Sequence, residues 1–305
     1  MTPILLAILP IFLVILLGLA MRHFGFPGEG FWEPVNRVNY YLCFPALLIH
    51  TLARADFRGS GVVAMLGATA AAILVLSLLL LAARPSLRIG GPAFTSLFQG
   101  ALRQNTFIGL AAAASLYGRS GLALSAVLLA GYVPLVNPIA IAVLVRYGRG
   151  DRGSGMAAMV REIARNPIPI ACAIGLVLDL SGIGLPFGSA PLLDILGQAS
   201  LALGLLATGA GLEGLPLRGA RLPILLATVI KLALLPVLVW LPLAAFGVDG
   251  LALRIAVLFA ALPSASGSYV LAAVLGGEAP LMAAIIVIET ALAVVTMPLA
   301  LAWLT

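Results

Sequence analysis

The chain has 305 residues, of which 62% are apolar and only 9% are charged. Soluble globular proteins carry about 25% charged and about 45–50% apolar residues, so this composition excludes a water-facing globular surface. It predicts an integral membrane protein. The formal net charge of +6 comes from basic residues that lie mostly between apolar runs. Such placement indicates orientation in a membrane and gives no support for nucleic acid as a partner.

Ten apolar runs are long enough, at about 20 residues each, to cross a bilayer as helices. In chain order, the predicted spans are residues 3–22, 33–53, 60–83, 92–117, 120–146, 164–181, 190–211, 221–246, 250–275 and 279–304. The runs are too long and too uniformly apolar for barrel strands. The predicted fold is therefore an all-α membrane protein with ten transmembrane helices. Cys43 and Cys172 both lie inside apolar runs and are expected to be small buried side chains without a disulfide.

Arginine is divided unevenly between the two sides of these spans. Ten arginines lie in the loops after spans 1, 3, 5 and 7, against four on the opposite side. Positive charge in short loops marks the cytoplasmic side. We therefore expect a multi-pass protein of the cell inner membrane with both termini on the outer, periplasmic side. The glycine-rich connection at 148–163 is predicted to be a cytoplasmic linker between a first repeat, 1–147, and a second repeat, 164–305.

The two halves share landmarks at a nearly constant offset. Pro10 and Pro167 lie 157 positions apart, as do Gly18 and Gly175, and three further landmarks recur at offsets of 158 to 160. Because each half has five spans, the second copy must enter the membrane upside down. Inverted repeats are typical of secondary transporters, whose sites lie near the midplane where corresponding helices are broken.

Two spans carry polar interruptions near their middle. The fourth contains a run of four polar residues, and the ninth contains a proline followed by three serines. An arginine at a helix centre costs about 2.5–3.5 kcal/mol on insertion scales, and proline removes a backbone donor. Asn105 falls on Ser264 at an offset of 159. We therefore expect the fourth and ninth helices to break and to cross near the midplane.

Broken helices that face each other present free N–H groups, which suit an anion. The predicted substrate-binding residues are Arg103, Gln104, Asn105, Thr106, Pro263, Ser264, Ser266 and Ser268. Other interpretations remain open. Arg103 could form a structural ion pair, Asn105 an interhelical hydrogen bond, and the serines could serve helix packing.

Two further ionisable residues lie inside predicted spans. Lys231 is the only lysine, near the middle of the eighth span, and Glu289 is the only carboxylate near the middle of any span. An intramembrane acid is a candidate for ion or proton coupling. We expect Glu289 to pair with Lys231 or Arg103 in at least one state, and a permanent structural pair is the alternative. His50, near a span end, is expected to be an interface histidine.

Enzyme motifs are absent from the sequence, which has no HExxH, no Walker A, no Cys/His metal cluster and no pair of mid-membrane aspartates. The expectation is a protein that is not an enzyme and uses no cofactor and no metal. Since no ATP site is recognisable, any transport is expected to be secondary.

Short motifs spread over the whole chain resemble the auxin efflux carrier family, in its bacterial, PIN-like branch. They include Leu9-Pro10-Ile11-Phe12, Phe44-Pro45-Ala46, Arg103-Gln104-Asn105, Asn137-Pro138, Asn166-Pro167 and Ala261-Leu262-Pro263. The resemblance implies the fold shared with bile-acid symporters and sodium/proton antiporters. In that fold, spans 1, 2, 6 and 7 form a scaffold that is often dimeric, and spans 3–5 and 8–10 form a mobile transport domain.

The resemblance also implies elevator-like transport of weak organic anions such as auxin, malonate or malate. Asn105 matches the family's asparagine on the fourth helix, and Pro263 matches the proline on the ninth. Plant members carry a proline on the fourth helix as well, whereas none occurs here between Pro92 and Pro134. Gly109 is expected to serve as the break in its place.

The leading prediction is a secondary transporter of a small carboxylate, embedded in the bilayer as a homodimer, with H⁺ or Na⁺ as candidate coupling ions. Two alternatives stay open. A cation/proton exchanger would use Glu289, although no second mid-span carboxylate accompanies it. A non-transporting membrane receptor would need an output domain or a long signalling loop, and neither is recognisable in the sequence.

Overall fold

A computed structural model describes residues 2–55, 61–149, 167–212 and 221–305. These residues form helices and connecting turns, without a strand among them. The all-α prediction is therefore confirmed for the described part of the chain. The predicted linker at 148–163 lies outside the described residues, apart from Gly148 and Arg149.

Thirteen α-helices follow one another along the described ranges. They are α1 (Thr2–His23), α2 (Trp32–Val38), α3 (Phe44–Leu52), α4 (Val62–Leu87), α5 (Gly91–Leu102), α6 (Thr106–Tyr147), α7 (Pro167–Leu180), α8 (Ser189–Ala210), α9 (Arg221–Val229), α10 (Leu235–Ala245), α11 (Gly250–Ala260), α12 (Gly267–Val274) and α13 (Ala279–Leu304).

Six helical stretches within the described ranges are long and apolar enough to cross a membrane. They are Thr2–His23, Val62–Leu87, Gly91–Tyr147, Pro186–Ala210, Arg221–Ala245 and Ala279–Leu304. Two shorter helices, Pro167–Leu180 and Gly250–Ala260, are also apolar. The helices make a multi-pass membrane protein, and the arrangement of ten spans as two inverted repeats stays a prediction.

The stretch Gly91–Tyr147 is not one straight helix, because two features interrupt it. Residues 103–105 separate α5 from α6. Within α6, Gly118 adopts φ 61° and ψ −148°, far from helical values. That conformation is open almost only to glycine, since a Cβ would clash with the backbone. The chain therefore turns at Gly118, at the boundary predicted between residues 117 and 120.

Two π-helical turns widen the helices, at Asn39–Cys43 and at Ile230–Leu234. Each ends two residues before a proline, Pro45 in α3 and Pro236 in α10. Proline lacks an N–H and its ring crowds the preceding turn, so the hydrogen-bond ladder shifts there. The second π turn carries Lys231.

Helices α1 and α8 lie against each other at very short range. A Cβ on Gly209 would lie 1.8 Å from the Ile15 carbonyl oxygen, and one on Gly18 would lie 2.0 Å from the Leu206 carbonyl oxygen. Small residues allow such backbone contact in membrane proteins. Helix α3 packs against both α7 and α8, so α1, α3, α7 and α8 form one packed group.

A second packed group surrounds α5. Helices α9 and α13 contact α5, while α11 contacts α6 and α13. Gly100 permits the close approach, since a Cβ there would lie 2.7 Å from Cγ2 of Ile285. This packing brings the end of α5 beside the loop between α11 and α12. The division into a scaffold and a transport domain stays a prediction.

Candidate functional site at two helix breaks

The first break lies between α5 and α6, at Arg103–Asn105. Arg103 and Asn105 have extended backbone, with ψ of 150° and 103°. The Asn105 side chain accepts a hydrogen bond from the Ile108 N–H (3.2 Å) and so caps α6. The Tyr132 hydroxyl donates to the Leu102 carbonyl at 2.5 Å. Backbone groups opened by the break are thus bonded inside the protein, as hydrocarbon surroundings require.

Gly109 is not the break, and that expectation was wrong. It lies within α6, where a Cβ would be 2.6 Å from Cδ1 of Leu262 and 2.9 Å from the Phe259 ring. Its small size therefore serves the contact with the end of α11. The break occurs four residues earlier without a proline, because Asn105 supplies the cap that starts a new helix.

The second break lies between α11 and α12. Helix α11 ends at Ala260 and α12 begins at Gly267. Pro263 has no N–H to continue the α11 ladder, and Leu262–Ala265 are non-helical. This interruption falls where the sequence places it.

The two breaks are joined directly by hydrogen bonds. The Asn105 N–H donates to the Pro263 carbonyl oxygen at 2.8 Å. Nη1 of Arg103 donates to Oγ of Ser268 at 3.2 Å. The Ser264 Oγ lies 2.8 Å from the Gly100 carbonyl oxygen. The polar segments of the fourth and ninth predicted spans therefore meet inside the protein.

A cavity of about 980 Å³ opens beside this crossing. Arg103, Gln104, Asn105 and Thr106 form part of its wall, and Ala265, Ser266 and Gly267 contribute from the second break. Aromatic side chains complete the wall: Phe107 and Tyr132 come from α6, and Trp32, Tyr40 and Phe44 come from the segment 32–52. The wall thus combines polar groups at the crossing with aromatic surface.

Not every predicted site residue reaches the cavity. Pro263, Ser264 and Ser268 are absent from its wall, and both serines are fully buried. Their hydrogen bonds run to Gly100 and Arg103. The structure therefore brings all eight predicted residues together but places these three behind the wall, where they hold the crossing.

Further charged residues of the cavity wall come from the end of α1 and from α2, namely Arg22, Glu33 and Arg37. A smaller pocket of about 420 Å³ also contains Glu33 and Arg37 in its wall. With Arg103, the described wall therefore carries three arginines and one glutamate.

Glu289 lies behind the second break and is fully buried. Its Oε2 accepts a hydrogen bond from the Ser264 N–H at 2.9 Å and lies 2.5 Å from Ser264 Oγ. Its Oε1 has no hydrogen-bond partner among the described residues. The carboxyl group therefore holds the backbone of the break in place.

Lys231 is also fully buried, and its Nζ has no hydrogen-bond partner among the described residues. The ammonium acts on Glu289 electrostatically, but no direct ion pair joins the two in this conformation. Nor is Glu289 paired with Arg103, whose resolved bonds run to Gln99 and Ser268. The expected direct pairing of Glu289 is therefore absent from this conformation.

Several residues near the crossing escaped the sequence interpretation. Thr208 of α8 accepts a hydrogen bond from Nδ2 of Asn105 at 3.4 Å, and Tyr132 caps the end of α5. Trp32 and Arg37 line the cavity from α2. A lone tyrosine at mid-span was a usable signal for Tyr132, because a buried phenol needs a partner. Thr208 offered no such signal.

The remaining predicted groups lie away from the crossing. Cys43 and Cys172 are buried and free. His50 lies in α3 with Nδ1 3.7 Å from Oδ1 of Asp194 in α8, which fits an interface histidine. The described residues contain no group of three or more His, Cys, Asp or Glu that could hold a metal ion.

The second half of the chain is similar to a known protein family. Residues 155–301 match the family model described as membrane transport protein, Mem_trans. A search of curated proteins found no match. The matched region contains the second break, Lys231 and Glu289. The match covers just under half of the chain, and over these residues the protein is similar to the membrane transport family that includes auxin efflux carriers and PIN-like proteins.

Proposed function

We propose that this membrane transport protein is a secondary transporter of small organic anions, carboxylates such as malonate, malate or an auxin-like weak acid. The anion binds at the crossing of the two helix breaks. The observation that carries the proposal is the wall of the cavity, where the Arg103 side chain and the capped start of α6 lie together.

Charge at the crossing favours an anion. Helix α6 begins at Thr106 and α12 begins at Gly267, and both residues line the cavity. A helix start presents N–H groups and a partial positive charge, equivalent to roughly half an elementary charge. Arg103 adds a full positive charge beside them. These groups suit a carboxylate, with Gln104, Asn105 and Ser266 as hydrogen-bonding partners.

The other charged residues of the wall also favour an anionic ligand. Arg22 and Arg37 outnumber Glu33 among them, and a cleft with excess positive charge concentrates anions. The aromatic residues of the wall offer apolar surface to the rest of the ligand. A small carboxylate with an apolar or aromatic body fits such a lining.

We further propose ten spans in two inverted repeats and an elevator-type mechanism. In this scheme α1–α3, α7 and α8 belong to a scaffold, which pairs two copies as a homodimer, and α4–α6 and α9–α13 form the domain that moves. The hydrogen bond from Asn105 to Thr208 and the one from Ser115 Oγ to the Ala7 carbonyl then cross between the domains. Such bonds have to break when the mobile domain shifts.

The conformation corresponds to one side of the alternating-access cycle. The cavity extends to Arg22 in the last turn of α1, and the distribution of arginine assigns that end of α1 to the cytoplasm. In the inner membrane this state is inward-open, and both termini lie in the periplasm.

A cation/proton exchanger remains a second candidate because Glu289 is a buried carboxylate next to the crossing. The two functions differ in what must be present for ions to move. In vesicles containing a pH-sensitive dye, an exchanger releases protons on addition of sodium alone. An anion transporter gives no response until a carboxylate is added.

The test of the anion proposal is flux of labelled malonate into liposomes containing the purified protein. Arg103→Ala removes a charged partner worth about 1.5–3 kcal/mol, so uptake at low malonate is expected to fall by about tenfold or more. Arg254→Ala, at an exposed arginine of α11, is the matched control and should transport like the wild type. Wild-type flux in the Arg103 variant would remove the site from the crossing.

A further inference from the structure

The hydroxyl of Ser264 lies between two oxygen atoms. It is 2.8 Å from the Gly100 carbonyl oxygen and 2.5 Å from Oε2 of Glu289. A serine hydroxyl has one hydrogen to donate, and it can also accept. A carbonyl oxygen only accepts, so the bond to Gly100 requires the serine hydrogen.

Both contacts can be full hydrogen bonds only if a second hydrogen is present. When Ser264 donates to Gly100, the short contact to Glu289 needs a proton on the carboxyl group, with Oε2–H donating to Oγ. When Glu289 is ionised, the serine hydrogen turns to the carboxylate and the Gly100 carbonyl loses its partner. Two protonation states of Glu289 therefore correspond to two bonding arrangements of the crossing.

We propose that Glu289 is a proton-binding site, and that its protonation releases the Ser264 hydroxyl to Gly100 and so links H⁺ binding to anion binding at the crossed breaks. The link between H⁺ binding and anion binding rests on the proposed function. The proton-binding site itself follows from the hydrogen-bond geometry alone.

The position of Glu289 connects this event to the cavity. Ser264 precedes Ala265 and Ser266, both in the cavity wall, and follows Pro263, whose carbonyl accepts from the Asn105 N–H. Ile286, one turn before Glu289 on α13, also lines the cavity. A change in the bonding of Ser264 is therefore transmitted to residues that face the ligand.

The charges around Glu289 explain why H⁺ binding should strengthen anion binding and not weaken it. Lys231, on the π turn packed against α13, is the charged group that acts on the carboxylate. Other ionisable groups on the described elements packed against α13 lie apart from the pair: Arg103 bonds to Gln99 and Ser268, and the exposed groups are Arg22, His23, Arg221, Arg254 and Tyr269.

With Lys231 protonated, an ionised Glu289 makes the buried pair neutral overall. Addition of a proton leaves one uncompensated positive charge close to the cavity. A carboxylate bound at the crossing offsets that charge, so H⁺ and anion each favour the binding of the other.

A proton fits this site better than a sodium ion does. Oε2 of Glu289 already takes part in two contacts with Ser264, which leaves Oε1 as the carboxylate oxygen without a described partner. Metal cations of this kind require several oxygen ligands at once. The positive charge of Lys231 also opposes a second cation, whereas a proton needs one oxygen only.

The first experiment detects the proton without any substrate. Infrared difference spectra of the purified protein are recorded between acid and alkaline pH, and the carbonyl stretch of a protonated carboxylic acid is followed. The wild type is expected to show a titrating band that Glu289→Gln abolishes. Thr290→Val should retain it, because the Thr290 hydroxyl bonds only within its own helix, to Ile286. A spectrum unchanged by Glu289→Gln would overturn the proton site.

The second experiment tests the link to transport, in liposomes with labelled malonate and an imposed pH gradient. For one H⁺ per anion, a gradient of one pH unit drives up to about tenfold accumulation. Glu289→Gln should equilibrate malonate without accumulating it, while Thr290→Val should accumulate it like the wild type. Gradient-driven accumulation in the Gln variant would refute the coupling.

The two proposals fail in different ways. A wild-type protein that shows the titrating band but moves no malonate, malate or indole-3-acetate would contradict carboxylate transport and support the proton site. Flux without the band would support carboxylate transport and overturn the proton site at Glu289.

Discussion

Asn105 combines two tasks at the scale of a single residue. Its side-chain oxygen caps α6 through Ile108, and its nitrogen donates to Thr208. The sequence pattern around Asn105 is compatible with substrate binding and with a simple bond between helices. The structure shows the cap and the interhelical bond together, in a residue that also lines the cavity.

Two substitutions of Asn105 separate these tasks. Asn105→Ser keeps a capping oxygen but loses the amide donor, whereas Asn105→Ala loses both, at a cost of about 1 kcal/mol for the cap. If the amide contacts the anion, both variants lose malonate flux, and only the Ala variant melts earlier. Thermal unfolding in detergent and liposome flux provide the two measurements. Wild-type transport by Asn105→Ser would reduce the residue to a helix cap.

Other residues near the crossing differ in how much of their role the local sequence reveals. The polar run at 103–106 was identifiable because polar side chains are costly in lipid and stand out from an apolar span. Tyr132 supports the same break from 30 residues further along the chain. No pattern around Tyr132 specifies Leu102 as its partner, because that pairing depends on how α6 folds back at Gly118.

At the scale of elements, the ends of the long helices agree closely with the ends of the apolar runs. The positions of the helix breaks agree less well with the sequence pattern. Helix α13 spans Ala279–Leu304, as its apolar run predicts. The break in the fourth predicted span was assigned to Gly109, yet α6 continues through that glycine. A glycine loosens a helix only weakly, by about 1 kcal/mol, so the helix started by the Asn105 cap simply includes it.

Close packing of α1 on α8 leads to a prediction for this pair of helices. Gly209→Ala adds a methyl group whose carbon would lie only 1.8 Å from the Ile15 carbonyl oxygen. The helices must separate, and we expect a loss of about 1–3 kcal/mol in the free energy of unfolding. The measurement is the melting temperature of the purified protein in detergent.

Gly67→Ala is the matched control for that substitution. Gly67 is also helical, in α4, but apart from its own helix backbone and chain neighbours no heavy atom of the described residues lies within 4 Å of the Cβ position. The better helix propensity of alanine should leave stability equal or raise it by up to about 1 kcal/mol. Equal melting temperatures for Gly209→Ala and Gly67→Ala would show that α1 and α8 are not in close contact.

At the scale of the whole molecule, the long apolar helices and the match over residues 155–301 agree on a membrane transport protein. The helices that cross the bilayer are joined by loops on its two sides, and the excess of arginine in one set of loops predicts that this set is cytoplasmic. The proposed topology can be tested without knowledge of the substrate.

Two serine positions report on the proposed topology. Ser86, near the end of α4, belongs to the arginine-rich side, and Ser181, just after α7, belongs to the other. Both are exposed. In a variant with Cys43 and Cys172 replaced by alanine, Ser181→Cys should react with a membrane-impermeant maleimide in intact cells. Ser86→Cys should react only after the membrane is opened, and labelling in the reverse order would invert the topology.

The sequence by itself determined the membrane character, the bounds of the long helices and the two polar interruptions. These are local properties, since the cost of placing a polar residue or a proline in an apolar helix depends on its neighbours along the chain. The tertiary structure alone decided that Ser264 lies between Gly100 and Glu289, and that Lys231 reaches no hydrogen-bond partner among the residues that the structure describes. Those facts depend on packing between helices far apart in sequence, and a hydrogen bond of less than 3 Å is specified only once the helices have docked.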